Sequence, residues 1–584
     1  MSDAAADRYE TARALLRRYW RHDAFRPGQW EIIQAVLQGQ DVLAVLPTGG
    51  GKSVCYQLPA LLLDGLTLVV SPLLALIEDQ VARLRARGIP AAFLHGHLST
   101  HAAEQCWIDA EHGAYRLLYV TPEQLTTTRF EARAGRLHVA LLAVDEAHCV
   151  SEWGPQFRPA YLHLPEARRQ LGDPPLLALT ATATPRVRQD IVEKLALRTP
   201  RIVVRGFDRP NLVWSVFETA DKAERVRAVL RGVPGPGILY CATRRSAERW
   251  TETLRRLGVE AVCYHGGLSA ADRAAASRAW REGQARVIAA TSAFGMGIDR
   301  ADVRFVLHAE LPPSLEAYYQ EAGRAGRDGQ KAYAVLLFQE EDVALQRRLI
   351  TLSYPGRDVV ARIYEVACSL AQVPVGIRPN HPVLFDAERI ARIAGVPVGA
   401  VRHTLELLTR QEIWEPIWLP AHYVLLRLRG TPNDFRRFAA GTNNPRLARF
   451  VEALLRAIPA DAFSTWWPVS LRRLSRRTGV ERERLLRGLD FLRERALLDW
   501  LSSDHAHLVR FRIARPQRLI LDDRLLRQAR EQAEARLEAL VRYARTHACR
   551  RHFLLTYFGE SAPERCNACD VCLNRSGRRN SPDL

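Results

Sequence analysis

The stretch Val42-Leu43-Ala44-Val45-Leu46 runs directly into Pro47-Thr48-Gly49-Gly50-Gly51-Lys52-Ser53, and no other part of the 584-residue chain limits its fold as strongly. An apolar strand that turns through bare glycines into a helix-compatible segment is a phosphate cradle. Glycines let backbone N–H groups close on phosphate oxygens, lysine reaches the β and γ phosphates, and the serine hydroxyl ligates Mg²⁺. Leu46 stands where the full pattern has its first glycine. The lysine restores the reading. The chain carries only four lysines, Lys52, Lys194, Lys222 and Lys331, and a formal charge of +19 that comes nearly all from arginine. A position that keeps lysine against that bias needs a compact ammonium rather than a planar fork. Thr48, Gly49, Gly50, Gly51, Lys52 and Ser53 are therefore the candidate phosphate and metal contacts.

The cradle needs a partner. Leu141-Leu142-Ala143-Val144 ends in Asp145-Glu146-Ala147-His148, an apolar strand that delivers two carboxylates where a parallel sheet presents its ligand-binding edge. Asp145 is expected to hold Mg²⁺ with Ser53, and Glu146 to polarise an attacking water. Between residues 25 and 205 the apolar runs Leu66–Val70, Leu117–Val120, Leu141–Val144 and Leu176–Leu179 alternate with helical patterns. That alternation predicts a parallel, doubly wound α/β sheet. Residues 206–342 repeat the style, with strands expected at 237–240, 262–264, 287–290, 305–307 and 334–338. The chain thus reads as two tandem α/β units, 1–205 and 206–342, of which only the first has a phosphate loop.

Beyond residue 343 helices dominate. Ile393-Ala394-Gly395-Val396 is answered 84 residues later by Arg477-Thr478-Gly479-Val480. Each is followed by an amphipathic helix (398–411, 482–495) and a short strand (423–428, 507–513). Helix, glycine turn, helix and β-ribbon are the parts of a winged-helix module, so modules are expected at 343–432 and 433–515. His505-Ala506-His507 is a candidate tip of the second wing. Residues 516–548 read as one long charged helix within a last folded segment at 516–575, and 576–584 as a disordered tail.

Ten cysteines are unevenly placed. Six are scattered singly, as small buried hydrophobes are. Cys549, Cys566, Cys569 and Cys572 crowd the end of the chain. No signal-peptide core precedes them, so a reducing compartment is expected, and there a metal site is favoured over disulfides. Four thiolates suit a closed tetrahedral Zn²⁺ site, with an iron–sulfur cluster as the alternative. No stretch of about 20 apolar residues is available to span a bilayer. The basic excess suits a polyanionic partner without naming it.

A further constellation lies in the second unit: Tyr318-Tyr319-Gln320-Glu321-Ala322-Gly323-Arg324-Ala325-Gly326-Arg327-Asp328-Gly329. Arg324 and Arg327, three apart, share one helix face. A cation aimed at a γ phosphate stabilises charge that spreads during phosphoryl transfer. The loop Thr291-Ser292-Ala293-Phe294-Gly295-Met296-Gly297-Ile298-Asp299 follows a strand, in reach of nucleotide and nucleic-acid backbone.

Taken in order, these blocks resemble the RecQ-type DNA helicases of superfamily 2. The resemblance runs over residues 25–340 through Phe25-Arg26-Pro27-Gly28-Gln29, the Lys52 loop, Val70-Ser71-Pro72-Leu73, Val120-Thr121-Pro122-Glu123, Asp145–His148, Leu179–Thr184, the Met296 loop and the Arg324/Arg327 helix. It implies two RecA-like lobes and an ATP site in which Arg26 and Gln29 read adenine. His22 stands where the family commonly stacks a tyrosine. Gly297 and Asp299 join the nucleotide contacts, Arg327 with Arg324 is the arginine finger, and Gln320 and His148 couple nucleotide state to DNA. Ser151-Glu152-Trp153-Gly154-Pro155-Gln156-Phe157-Arg158-Pro159 is similar to the family's aromatic-rich loop, with Pro155-Gln156 where the family has His-Asp. Trp153 and Phe157 offer faces on which bases stack, and Arg158 a phosphate or base contact. By the same resemblance Ser71, Thr121 and Thr291 touch DNA. The segment 549–560 is similar to the family's zinc-binding module, here displaced to the chain's end by about 200 residues.

The resemblance implies an ATP-driven, Mg²⁺-dependent 3′→5′ DNA helicase acting in recombination and repair. It is expected to act as a monomer in the cytoplasm or nucleoid, or in the nucleus of a eukaryote. A nucleic-acid-stimulated ATPase that remodels or anneals strands remains an alternative, as does a winged-helix DNA-binding regulator.

Overall fold

The computed structural model describes residues 3–47, 50–72, 74–94, 100–151, 158–294, 300–417, 423–502 and 506–575. The chain forms two compact units, Met1–Arg348 with Glu531–Leu584, and Leu349–Arg530.

The first unit holds two parallel sheets. One is built from β1 (Val42–Val45), β2 (Leu66–Val70), β3 (Ala91–Leu94), β4 (Leu117–Val120), β5 (Val139–Val144), β6 (Leu176–Thr180) and β7 (Arg201–Val204), in the order β3-β4-β2-β5-β6-β1-β7. Every ladder in it is parallel. β1, β2, β4 and β6 are buried along their whole length, as strands covered on both faces must be, which is why they read as unbroken apolar runs. The second sheet contains β8 (Leu212–Glu218), β9 (Gly237–Tyr240), β10 (Ala261–Tyr264), β11 (Val287–Ala290), β12 (Phe305–His308) and β13 (Ala332–Phe338), in the order β10-β11-β9-β12-β13-β8. It too is parallel throughout.

The start of β1 is pinned by one carboxylate. Asp41 is buried and accepts from Arg168 (2.6 and 2.9 Å) and from the N–H groups of Leu176 (2.9 Å) and Arg198 (2.7 Å). Burial raises its pKa, but the Arg168 bonds and the two N–H bonds outweigh this and hold the carboxyl below its ordinary value. Removing one partner of such a pair leaves an uncompensated buried charge, so Arg168→Met is expected to destabilise the chain by about 3–5 kcal/mol. The sign with pH follows from the lowered pKa: the stabilisation is complete above the unfolded carboxylate value and is lost as pH falls through the folded one. Urea unfolding of both proteins should therefore show a gap at pH 7 that narrows below about pH 4.

The four-cysteine segment is part of this first unit. The predicted long helix spans Asp523–Arg545 and leads to helices Arg550–Tyr557 and Asp570–Arg575. Phe558 stacks on Phe207 at 4.6 Å, and Tyr543 lies 5.3 Å from Tyr318. Tyr557 donates to Glu316 (2.7 Å), Val216 N–H donates to Asp570 (2.9 Å), and Arg551 pairs with Asp208. One continuous apolar cluster joins both sheets to this segment. The module displaced in sequence is packed against the second lobe in space.

The second unit contains the 84-residue repeat, with an arrangement the linear reading did not foresee. Its strands are β14 (Val383–Asp386), β15 (Trp414–Ile417), β16 (Tyr423–Leu428), β17 (Trp467–Ser470), β18 (Leu498–Ser502) and β19 (Ala506–Phe511). Strands β14 and β15 and helices Ala387–Ala394 and Val398–Arg410 each start 84 residues before their counterparts β17 and β18, Leu471–Thr478 and Arg482–Glu494. The third strands are exchanged. β16, expected to complete the first module, pairs antiparallel with β17 and β18 of the second. β19, expected in the second wing, pairs with β14 and β15 of the first. A division at 432/433 therefore cuts through both modules. The cores follow the pairing: Val509 and Phe511 pack with Val360, Tyr364 and Trp414, while Val424 and Leu428 pack with Leu485 and Leu498. Leu425 and Leu508, neighbours across the exchange, share a small apolar cluster of their own, which joins the two sheets where the chain crosses between them. His505 and the tail 576–584 lie outside the described residues.

Candidate nucleotide-binding and zinc sites

Sheet order brings three loops to one edge. β6 lies between β1 and β5, so the phosphate loop after β1, Asp145 after β5 and Thr180 at the end of β6 converge. Thr48 and Gly49 lie outside the described residues. Gly51 adopts φ +77°, and a Cβ there would sit 2.4 Å from the Gln29 amide, so both backbone sign and space require glycine. Gln29 itself is buried and braces the loop: its amide donates to the carbonyls of Gly51 (3.0 Å) and Gly50 (3.3 Å), while its Oε1 accepts from Arg26 N–H (2.8 Å). Lys52 Nζ donates to the Leu46 carbonyl (3.3 Å). A cavity of about 300 Å³ opens beside the loop, lined by His22, Arg26, Gln29, Gly51 and Val54 among others. Three residues assigned to the base by resemblance thus line one pocket.

Asp145 is buried, and its Oδ1 accepts from Glu146 N–H (3.0 Å). Burial, with Glu146 beside it, lifts the Asp145 carboxyl to about 7, and Lys52 pulls the other way. Lys52 is near enough to act on the Asp145 charge, and the two crowded carboxylates, with the Ser53 hydroxyl next along the same loop, supply oxygen donors of the kind Mg²⁺ takes. Glu146 stands in the left-handed region at φ 48°. His148 Nδ1 lies 2.9 Å from Thr180 Oγ1 and 3.3 Å from Glu146 Oε2. Burial, with the Lys52 charge, lowers the His148 pKa to about 4, so a neutral ring links the acidic turn to β6 at working pH. Thr180 was legible only as part of a motif; its role as the acceptor or donor for His148 needed the sheet order.

The shared helix face expected for Arg324 and Arg327 is not formed: helix Leu315–Ala322 ends before them, and both lie in turns around the left-handed Gly326. This segment is held from behind by residues that sequence reasoning missed. Arg209 donates to the carbonyls of Gly323 (3.0 Å), Ala325 (2.9 Å) and Gly326 (3.1 Å), and Asn211 to those of Gly326 (2.8 Å) and Gln330 (2.9 Å). Gly326 has φ +59°, and a Cβ there would lie 2.5 Å from Asn211 Nδ2. Arg324 is buried beside the Tyr240 hydroxyl, while Arg327 is half-buried and Gln320 likewise. Tyr240 donates to Phe294 O (2.7 Å) and stacks on His308, whose Nε2 meets Glu321 (2.8 Å). The two arginines, alike in sequence, differ in surroundings. Gly297 and Asp299 lie outside the described residues.

Ser71 and Thr121 begin the loops after the adjacent strands β2 and β4, and Thr291 follows β11. Ser71 is buried, and Arg158 approaches Glu123 at 4.0 Å. Trp153 and Phe157 lie outside the described residues. Ser151, the last described residue before them, donates to Asp190 (2.7 Å).

The sulfurs of Cys549, Cys566, Cys569 and Cys572 all lie within 4.8 Å of one another, and those of Cys549 and Cys569 are 3.9 Å apart. Tetrahedral coordination with Zn–S bonds of about 2.3 Å asks for sulfurs about 3.8 Å apart. Cys566 Sγ accepts from the N–H groups of Ala568 (3.4 Å) and Cys569 (3.3 Å), which favours a thiolate. The site fits Zn²⁺, and four sulfurs leave no open position for catalysis.

Two sheets, a phosphate loop facing paired carboxylates and an arginine-bearing turn after helix Leu315–Ala322 in the second lobe define the class: a two-lobed nucleotide-dependent helicase core. Comparison with known proteins agrees. Residues 26–191 match the DEAD/DEAH box helicase family, 221–329 the helicase conserved C-terminal domain, and 513–573 the RecQ zinc-binding family. The chain is 44% identical over 345 residues to the ATP-dependent DNA helicase RecQ of Bacillus subtilis, covering 59% of this chain and 58% of that protein. It is 43% identical over 342 residues to RecQ of Pasteurella multocida, covering 58% and 54%. It is 40% identical over 355 residues to the probable ATP-dependent DNA helicase RecS of Bacillus subtilis, covering 60% of this chain and 71% of that one. The chain belongs to the RecQ family of superfamily 2 helicases. It spans little more than half the length of the two RecQ relatives, and residues 330–512 fall between the second and third family matches.

Proposed function

We propose that this protein is an ATP-dependent DNA helicase that moves 3′→5′ along single-stranded DNA and separates duplex or branched DNA in recombination and repair. One observation carries the reading: the acidic turn after β5 is joined through His148 to Thr180, so the residues that polarise water are mechanically tied to the neighbouring strand end. Such a tie is what a motor needs to pass nucleotide state onward.

In this reading Lys52 and the loop N–H groups hold the triphosphate, with adenine in the His22, Arg26 and Gln29 pocket. Ser53 and Asp145 would hold Mg²⁺, which when bound would neutralise charge on the phosphate oxygens. Glu146 orients and polarises the attacking water. Arg327 stabilises the charge that spreads over the γ phosphate, and buried Arg324 with Gln320 sets the turn that presents it. Ser71, Thr121, Thr291 and Arg158, with Trp153 and Phe157, follow the single strand. The zinc module acts as a brace. In this reading the protein works as a monomer in the cytoplasm or nucleoid; no helix among the described residues is long and apolar enough to cross a membrane.

Strand displacement on a 3′-tailed, a 5′-tailed and a blunt duplex, with ATP and Mg²⁺, tests this. Opening of the 3′-tailed duplex alone is expected. ATP hydrolysis stimulated by single strands without displacement would instead make the protein a strand-remodelling ATPase.

A further inference from the structure

The two modules of the second unit share a plan but not a charge. Residues 357–417 with strand β19 (506–511), the first module, carry eight arginines and seven carboxylates, no lysine, a net +1. The matching residues 441–502 with strand β16 (423–428), the second module, carry thirteen arginines and seven carboxylates, a net +6. The difference concentrates on one helix pair. On helix Leu471–Thr478, Leu471 and Leu474 are buried and fix the inner face, so Arg472, Arg473, Arg476 and Arg477 all stand exposed on the outer one. Arg482, Arg484 and Arg487 continue the exposed basic surface on the next helix. The counterparts 84 residues earlier are Glu388, Arg389, Arg392 and Ile393, then Val398, Ala400 and His403.

Like charges at i and i+4 destabilise a helix, and Arg472/Arg476 and Arg473/Arg477 are both such pairs. Carboxylates do not relieve them: among the described residues none pairs with Arg472, Arg473, Arg476, Arg482, Arg484 or Arg487, and Arg477 reaches only the Ala457 carbonyl (3.3 Å). Glu481 and Glu483 begin the second helix and leave Arg472–Arg477 uncompensated. Because the repeat holds fold constant, winged-helix architecture does not account for the arginines. A regular array of anions does: guanidinium forks on consecutive turns of a helix suit successive phosphates of a duplex.

We propose that helices Leu471–Thr478 and Arg482–Glu494 form a duplex-DNA backbone site confined to the second module, and that the first module has no such role. The site lies outside the ATP-driven core, and its test uses no ATP, so it stands or falls apart from the helicase reading. Binding of the full chain to a blunt duplex is followed by fluorescence anisotropy from 50 to 200 mM salt, a range in which phosphate contacts dominate. The variant combining Arg472→Gln, Arg473→Gln, Arg476→Gln and Arg477→Gln is expected to lose about tenfold or more in affinity. The slope of log K against log salt should flatten by roughly 2–4 units, at about 0.9 per phosphate contact. Arg389→Gln with Arg392→Gln in the first module should change neither by more than about twofold. Arg484→Gln with Arg487→Gln repeats the test on the neighbouring helix, should the fourfold variant lose thermal stability. An unchanged slope in both second-module variants, or an equal loss in the first-module pair, overturns the proposal. So does equal competition by polyglutamate, which would mark a site for acidic protein.

Discussion

Replacing Lys52 by alanine is expected to reduce DNA-stimulated ATP hydrolysis by roughly 100- to 1,000-fold or more, the range for removing one preorganised charge from a site of this kind. Strand displacement should vanish with it. The lysine ammonium donates to the Leu46 carbonyl at 3.3 Å, and Gln29 rather than Lys52 braces the loop. Melting temperature should therefore stay within a few degrees of the parent, so the lost rate reports chemistry and not unfolding. Steady-state ATPase assays with saturating single-stranded DNA, beside a thermal melt, make the check. A variant that keeps more than about a tenth of the parent rate would remove Lys52 from the role assigned to it.

The second large effect should come from the zinc site. Substituting Cys569, one of the most buried of the four ligands, with serine is expected to abolish stoichiometric zinc binding and to lower the melting temperature by roughly 10 °C or more. Binding free energy at a structural zinc site, about 10–16 kcal/mol, is folding free energy, and for a unit as large as this one each ~1 kcal/mol moves the midpoint by about 1 °C. The loss should spread beyond the module. Without it, Phe207, Tyr318 and Tyr319 lose the aromatic partners Phe558 and Tyr543, and Asp208 loses Arg551. Atomic absorption should give one zinc per parent chain and none in the variant. An unchanged melt in a zinc-free variant would make the metal dispensable. Detection of iron and inorganic sulfide in the parent would replace zinc by a cluster.

The strands of the two parallel sheets were legible because burial on both faces leaves an unbroken apolar run, so Leu66–Val70, Leu117–Val120 and Val287–Ala290 emerge with the ends expected. β3, β7 and β8 were not anticipated; β3 is a four-residue strand opening on two alanines, β7 begins with the exposed Arg201 and Ile202 and β8 ends with the exposed Glu218, which weakens or breaks the pattern. The phosphate loop, the paired carboxylates and the four cysteines carry their chemistry in side-chain type and spacing, and a sequence displays both. Arg209 and Asn211 do not: they act on backbone carbonyls more than 100 residues away, and nothing local announces an acceptor. The different surroundings of Arg324 and Arg327 were equally hidden, since two arginines three apart read as one helix face, whereas the helix stops at Ala322 and the turns after it bring Arg324 to Tyr240. The repeat itself was visible, but pairing partners were not. β16 and β19 occupy equivalent places in the repeat, so either assignment satisfies the same apolar alternation, and only the fold chooses.

The exchange of β16 and β19 also has a biosynthetic consequence. On a ribosome adding about 5–20 residues per second, β14 and β15 emerge without their central strand, and that strand follows only after the 88 residues that separate Ile417 from Ala506. For roughly 5–20 s the earlier module is an open half-sheet, while the later one can already close around the strand it received in advance. The nascent chain therefore completes the second module first and uses it as the platform on which the first is finished. Deleting either repeat from the gene would strand a piece of the other, so the pair is inherited, and lost, as one.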